Sequence, residues 1–546
     1  MFFDIINKMD KSHIQPYIII HQGGFIMIAH NPILRGFYPD PSICRVGKDY
    51  YLVNSTFSYV PGVPVFHSQD LVNWVQIGNV LDRPSQLPLD KAEMSRGIFA
   101  PTIRYNNGTF YMITTNIDNG GNFYVTATDP AGPWSDPVWL KAPEGQDAGI
   151  DPSLFFEGDK CYYVGQRQKP NAEFYGDCEV WIQELDLEKG ELVGEVTSLY
   201  SGSMKECVWV EGPHIYHIGD YYYITCAEMG TSFQHSISVA RSKNLLGPYE
   251  NFKCNPLLTH RHLGKKCAIQ NIGHGDLVDT EDGNWYLIML GTRPIDGITE
   301  LGRETFIAEV IWEDGWPVVN PGIGQIQHEQ EIKLPCVDNL PGEKAFEKEI
   351  NIRFGDTLDK RLMTFRHPVE GMYKIEAENE ISLAPSVATP NDRDKSTSYI
   401  GIRQQSFQFS LDVKVNPFDS ANAKGGLLYI HSDDNYITLM VANKDGKQIV
   451  EAYKNEKAVS TKLGEVDLGT VWNGTNGDAL LLSIVGDNRD VKLCVNDKVV
   501  ADGINTAFLS SELAGGFVGC TYGPYAVTTD ENDAPRIHFK DWTIKY

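Results

Sequence analysis

The stretch Val210-Glu211-Gly212-Pro213-His214-Ile215-Tyr216-His217-Ile218-Gly219-Asp220-Tyr221-Tyr222-Tyr223-Ile224 decides the fold. It reads as a carboxylate, a Gly-Pro turn, a short strand, a glycine turn and a second strand rich in aromatic and β-branched residues. That is the pattern of a β-hairpin opened by a glutamate. The chain repeats the phrase four more times. Pro41-Ser42-Ile43 leads to Gly47 and Tyr50-Tyr51-Leu52-Val53, and Pro101-Thr102-Ile103 leads to Gly108 and Phe110-Tyr111-Met112-Ile113. Pro152-Ser153-Leu154 leads to Gly158 and Tyr162-Tyr163-Val164, and Gly275-Asp276-Leu277 leads to Gly283 and Trp285-Tyr286-Leu287-Ile288. The copies start at 41, 101, 152, 213 and 275. A hairpin recurring at such steps, with further strands between copies, predicts a five-bladed β-propeller.

The residues just ahead of each copy are Asp40, Ala100, Asp151, Glu211 (one further back, before Gly212) and His274. In a radially repeated fold, equivalent positions lie on a ring about the central channel. Three carboxylates and a histidine are thereby expected to converge on one axial pocket. Burying carboxylates together costs free energy and drives their pKa values apart, which separates acid from base roles. Asp-Pro is also a common turn-to-strand dipeptide, so one copy carries little weight; three carboxylates at one repeat position carry much more.

Composition bounds the rest. The 546 residues suffice for two substantial cores. Aromatics at 11%, 50 Gly and 29 Pro suit many short strands and turns. A net charge of −25 argues against nucleic acid and anionic membrane surfaces as partners. The ten cysteines (44, 161, 178, 207, 226, 254, 267, 336, 494, 520) form no C-x-x-C pair, and several lie in apolar strand runs. They read as buried free thiols of a reducing compartment rather than a disulfide or zinc framework. No apolar run reaches transmembrane length, and no signal-peptide core with a cleavage site is present. A cytoplasmic protein is expected, with residues 1–30 an N-terminal extension and Met27 the natural start.

Residues 31–335 carry the repeats. Phrases such as Ser68-Gln69-Asp70-Leu71-Val72-Asn73-Trp74 and Ser242-Lys243-Asn244-Leu245-Leu246-Gly247-Pro248 read as outer strands and turns, with Trp74 and Trp134 as blade packing rather than ligand contacts. A Pro/Gly-punctuated linker follows at 336–350. From 351 to 546, period-two runs at 406–415, 426–430, 436–441 and 479–485 predict an antiparallel β-sandwich. The chain is expected to be all-β.

Gly36-Phe37-Tyr38-Pro39-Asp40-Pro41-Ser42, Asn54-Ser55-Thr56-Phe57, Pro61-Gly62-Val63-Pro64, Arg96-Gly97-Ile98-Phe99-Ala100-Pro101, Gly149-Ile150-Asp151-Pro152-Ser153, Glu211-Gly212-Pro213-His214, Gly273-His274-Gly275-Asp276 and Gly291-Thr292-Arg293 follow in order and in register with the blades. Together they resemble the β-xylosidases of glycoside hydrolase family 43, over nearly all of residues 31–546. The resemblance implies a propeller with a concanavalin-like sandwich that releases terminal β-1,4-linked xylose with inversion. It implies Asp40 as general base, Glu211 as general acid, and Asp151 as the carboxylate that orients the acid and raises its pKa. Independently of the family, inversion needs room for water between base and sugar, and an acid still protonated near neutral pH.

The resemblance further implies Arg293 as a pocket arginine that binds sugar hydroxyls and counters the carboxylates, and Phe57 as an aromatic lining the pocket. Phe99 stands where many relatives have Trp, so an indole donor is lost there. Taken alone, both phenylalanines read as blade core, and the resemblance reverses this. A lone histidine likewise reads as core, but His274 matches a position where some relatives hold a divalent ion, usually calcium, with that histidine as the only protein ligand. Calcium prefers oxygen ligands, so such an ion would depend mainly on water. The resemblance also implies a homo-oligomer (dimer or tetramer) and a sandwich loop closing the channel, matched loosely by 515–522, where either Phe517 or Tyr522 would reach in. The alternatives are an α-L-arabinofuranosidase, alone or as a second activity, a non-catalytic sugar-binding propeller, and a retaining fructan-cleaving propeller.

Overall fold

A computed structural model describes residues 19–21, 24–141, 148–334, 347–470 and 479–546. Five four-stranded antiparallel sheets follow one another along the chain as blades. Their innermost strands are Ser42–Val46, Thr102–Asn106, Ile150–Glu157, Glu211–Ile218 and Gln270–Asp279. Each pairs with the aromatic strand that the repeat predicts: Asp49–Val53, Thr109–Asn116, Lys160–Gln168, Tyr221–Glu228 and Trp285–Thr292. The innermost strand of the fifth blade packs on that of the first, so the ring closes.

Alternation along these strands turns apolar side chains toward the neighbouring blade, and each blade boundary holds its own buried cluster. Val53, Val65, Ile103, Phe110 and Trp134 fill the first boundary. Ile113, Leu154, Tyr163 and Trp181 fill the second, and Phe155, Val180, Ile215 and Ile224 the third. Ile237, Leu258, Leu277 and Leu287 fill the fourth, and Ile43, Leu52, Tyr286 and Ile288 the closing one. Trp74 packs against this last cluster, half-buried.

Strand Gly24–His30 pairs along its length with Glu329–Leu334, across the closure, and Met27 is buried in the closing cluster. The last residues of the expected N-terminal extension thus form part of the folded body. Residues 335–346, with Cys336 and most of the expected linker, lie outside the described residues. The nine described cysteines are free thiols; six are buried and Cys254 is exposed.

The C-terminal half is a sandwich of an eight-stranded and a six-stranded antiparallel sheet. The period-two runs fall on Phe409–Val415, Ala423–Ser432, Asn435–Lys444 and Leu480–Asp487. The two halves are joined tightly. Tyr59–Val60 of the first blade pairs with Thr364–Phe365, and Phe37, Phe57, Tyr59, Phe365, Tyr399 and Val518 share one buried cluster.

Candidate active site

The five innermost strands begin at one end of the ring, and the residues at their starts meet there. Asp40, Phe57, Phe99, Ala100, Asp151, Glu211, His274 and Arg303 line a cavity of about 440 Å³, together with Thr231, His235 and Phe517. The backbone explains how the side chains are aimed. Asp40, Asp151 and His274 all adopt left-handed conformations, with φ of 50°, 52° and 47°. Non-glycine residues pay about 1 kcal/mol or more for this, and such strain gathers at functional sites. In the fourth blade the left-handed position belongs to Gly212, φ 56°. The carboxylate therefore moves one residue back to Glu211, and the longer side chain offsets the shift. Gly212 is required for a second reason: a Cβ there would lie 2.7 Å from the His274 ring.

Asp40 and Asp151 are buried and Glu211 is half-buried, and their surroundings differ. Asp40 is 5% exposed. It accepts from Arg303 Nη1 on Oδ1 at 2.7 Å and from Ser55 Oγ on Oδ2 at 2.6 Å. Burial opposes its ionisation, yet Arg303 and Ser55 outweigh burial and hold its pKa below the usual carboxylate value. Glu211 has no such cation of its own; burial first, then the Asp40 charge, push its pKa above the usual range. Asp151 is raised as well, by burial and then by Glu211 and Asp40, while the Gly212 backbone N–H donates to it. At neutral pH, Asp40 is the ionised member and the Asp151–Glu211 pair retains a proton. His274 Nδ1 lies 3.9 Å from one oxygen of Asp40 and of Asp151. Burial lowers its pKa, so the imidazole is neutral.

The structure changes one assignment and decides one open choice. Arg293 does not line the cavity: its Nε and Nη2 donate to Glu304 at 2.7 and 2.8 Å, and Glu304 is fully buried. That bidentate bond takes Arg293 out of reach of a sugar, and Arg303, ten residues on, supplies the cation to Asp40 instead. Arg303 also lies over the rings of Phe57 and Phe517, at 5.8 and 5.7 Å. Of the two candidate aromatics of the sandwich loop, Phe517 lines the cavity. Its ring stacks on Phe57 at 6.2 Å and meets Phe99 edge-on at 6.1 Å. Tyr522 is fully buried in the sandwich core, in the strand Thr521–Thr528. The Ser95 hydroxyl, accepting from the Phe517 backbone N–H at 2.9 Å, fixes the loop to the propeller.

A second axial layer lies two to five residues further along the same strands. Asp276 accepts from Arg104 Nη1, Ser42 Oγ and Tyr216 Oη at 2.9, 2.7 and 2.7 Å. Arg104 Nη2 is 2.9 Å from His214 Nδ1. Here burial is outweighed by Arg104, and the Asp276 pKa falls far below normal. The centre of this layer is thus a satisfied ion pair.

Residues 29–317 match the family described as glycosyl hydrolases family 43, and residues 354–545 match the β-xylosidase C-terminal concanavalin A-like domain. The chain belongs to glycosyl hydrolases family 43. It is 45% identical to a xylosidase/arabinosidase of Butyrivibrio fibrisolvens, over 95% of this chain and 100% of that one. It is 36% identical to a non-reducing end α-L-arabinofuranosidase of Bacteroides ovatus, over 94% and 93% of the two chains. Among solved structures it superposes on a xylan β-1,4-xylosidase of Bacillus halodurans with a TM-score of 0.83 at 30% identity, covering 95% and 100% of the two chains. This family member is all-β, a propeller followed by a concanavalin A-like domain.

Two imidazoles line the cavity, His274 and His235, and burial lowers the pKa of both. Among the described residues no cluster of three or more His, Cys, Asp or Glu side chains could hold a metal. This donor set fits an ion bound by one imidazole and otherwise by water, and nothing tighter. His214 cannot add a second nitrogen: with Nδ1 accepting from Arg104, its neutral ring carries the proton on Nε2.

Proposed function

We propose that the protein is an exo-acting, inverting β-xylosidase that removes xylose from the non-reducing end of β-1,4-xylo-oligosaccharides, with α-L-arabinofuranosidase as a second activity. The observation that carries this reading is the division of protons among three axial carboxylates. Asp40, ionised through Arg303 and Ser55, is placed to take a proton from the attacking water. Glu211, kept protonated by burial and by Asp40, donates to the departing oxygen. Asp151, held by the Gly212 N–H beside Glu211, titrates high because of burial and the Glu211 charge, and by the resemblance it orients the acid. Inversion is the stereochemistry of the family and suits a base that works through water. Arg303 balances charge at Asp40 and offers donors to sugar hydroxyls. Phe517 of the sandwich loop, stacked on Phe57 at the cavity wall, narrows the pocket toward one chain end, which supports exo action.

The second activity rests on relatives that carry both names, a xylosidase/arabinosidase and an α-L-arabinofuranosidase. Xylopyranose and arabinofuranose present similar hydroxyl arrays to one pocket. A divalent ion, calcium by the resemblance, is proposed at His274; bound there, it would supply positive charge beneath the carboxylates. Calorimetric titration of chelator-treated protein with calcium reads this directly, and absence of binding at millimolar calcium removes it. A homo-oligomer is proposed on the same resemblance, to be read by sedimentation.

The test is initial hydrolysis of nitrophenyl β-D-xylopyranoside, nitrophenyl α-L-arabinofuranoside and xylobiose, with NMR of the first anomer released. Xylose appearing as the α-anomer, with the xyloside preferred, supports the reading. Binding without turnover, or β-xylose as first product, overturns it.

A further inference from the structure

We infer that His235 is a specificity-determining residue of the terminal-sugar pocket, accepting a hydrogen bond from one sugar hydroxyl; this rests on the glycosidase reading above. His235 lines the same cavity as the three carboxylates and is 2% exposed. Its Nδ1 lies 3.0 Å from the backbone oxygen of Asn271. A carbonyl can only accept, so Nδ1 carries the proton and Nε2 is left as a bare acceptor. Burial holds the ring neutral. Among the described residues Nε2 has no hydrogen-bond partner. A buried acceptor without a partner on the wall of a ligand cavity calls for one.

The surroundings show that the ring is held in place. The His235 backbone N–H donates to Ser232 O, and its carbonyl accepts from Thr259 Oγ1 at 2.7 Å. Asn271, which takes the Nδ1 proton, is itself left-handed at φ 58° and sits three residues before His274. Gly273 lies against the imidazole so closely that a Cβ would stand 2.1 Å from the ring. This glycine therefore serves the histidine, not a turn. Such fixing of tautomer and orientation is what a recognition group needs.

The opposite half of the pairing is also present. Arg303 Nη1 donates to Asp40 and Thr231 and Nη2 to Asp40 and the Phe517 carbonyl, while its buried Nε–H has no partner among the described residues. An unpaired donor and an unpaired acceptor on two residues of one pocket match a hydroxyl group, which accepts with its lone pair and donates its proton. A terminal sugar presents such hydroxyls. The mechanism leaves His235 unused, because a neutral imidazole with a strongly lowered pKa does not serve as acid or base near neutral pH.

The experiment measures kcat/KM on nitrophenyl β-D-xylopyranoside and its 2-, 3- and 4-deoxy analogues, for the full-length wild type, His235→Asn and His235→Gln. Asn retains a donor for the Asn271 carbonyl and removes the Nε2 acceptor, whereas the longer Gln amide reaches the Nε2 position. The expectation is a loss of about 10- to 100-fold for His235→Asn on the parent glycoside. The wild-type penalty for one deoxy position should vanish in His235→Asn while the other two persist, with partial recovery in His235→Gln. All three penalties unchanged in a folded His235→Asn overturn the inference. Should neither variant fold, nitrogen-15 NMR of wild-type histidines during xylose titration decides it: a shift of the unprotonated nitrogen toward its hydrogen-bonded value supports the role, and no shift at saturation overturns it. A wild type inactive on every glycoside defeats the glycosidase reading itself, a different failure.

Discussion

The two layers of the propeller axis bury similar groups and treat them in opposite ways. In the upper layer three carboxylates share Arg303, which Asp40 monopolises, and the pKa values of Asp151 and Glu211 rise. In the lower layer one carboxylate, Asp276, receives a guanidinium, a phenol and a hydroxyl, and its pKa falls. The ratio of anions to donors differs between them. Burial alone therefore does not make a catalytic acid. A shortage of partners does, and the complete lower layer lets the upper one remain short.

The sharpest way to break this comparison is to remove members of the upper layer. Glu211→Ala should lower kcat/KM on xylobiose about 10²- to 10⁴-fold and much less on an aryl xyloside, whose leaving group needs little protonation. Asp40→Asn should lose a similar factor on both, since water activation precedes either departure. Equal losses on both substrates for Glu211→Ala would remove it from the acid role.

The lower layer should respond in stability. Arg104→Leu leaves Asp276 charged and buried without its cation, a loss of about 3–5 kcal/mol by urea unfolding at pH 7. The pH dependence should also change sign. In the wild type the depressed Asp276 pKa contributes stability above its unfolded value, about 3.9, which is lost on acidification. In the variant, burial without Arg104 raises that pKa, so stability should fall as pH climbs through it. An unchanged slope would mean that the Arg104–Asp276 pair contributes nothing.

A finer test is the pH profile. The raised Glu211 pKa places the alkaline limb of kcat/KM well above the value for a free carboxylate, about 4.3, with activity falling as Glu211 ionises. The lowered Asp40 pKa places the acid limb below the usual carboxylate value. Asp151→Asn removes a neighbouring negative charge and should move the alkaline limb down by about 1 unit. The smallest effect belongs to the cap: Phe517→Ala should raise KM about tenfold with kcat nearly unchanged, through lost apolar contact with the sugar.

Much of this was legible before any coordinates. The hairpin phrase recurs because every blade needs the same turn and aromatic strand, and the residue ahead of it aims at the axis in each copy. Asp40, Asp151, Glu211 and His274 follow from that register alone. Arg303 does not, because Leu301-Gly302-Arg303-Glu304 lies outside the repeated phrase. Two arginines ten residues apart compete for two carboxylates, and only packing shows that Glu304 takes Arg293. Reading Glu304 as the first residue of the strand Glu304–Glu313 would have pointed to the difference. Phe517 was ambiguous until the strand at 521 was placed; period two then sends Tyr522 into the sandwich core. His235 had no signal in the phrase, since its role comes from the cavity wall.

The Arg104–Asp276 ion pair has one more consequence. Its bonds join Ser42, Arg104, His214, Tyr216 and Asp276, which come from the innermost strands of the first, second, fourth and fifth blades. One buried charge therefore ties four of the five blades together at the axis, and the ring holds its shape around the carboxylates above it.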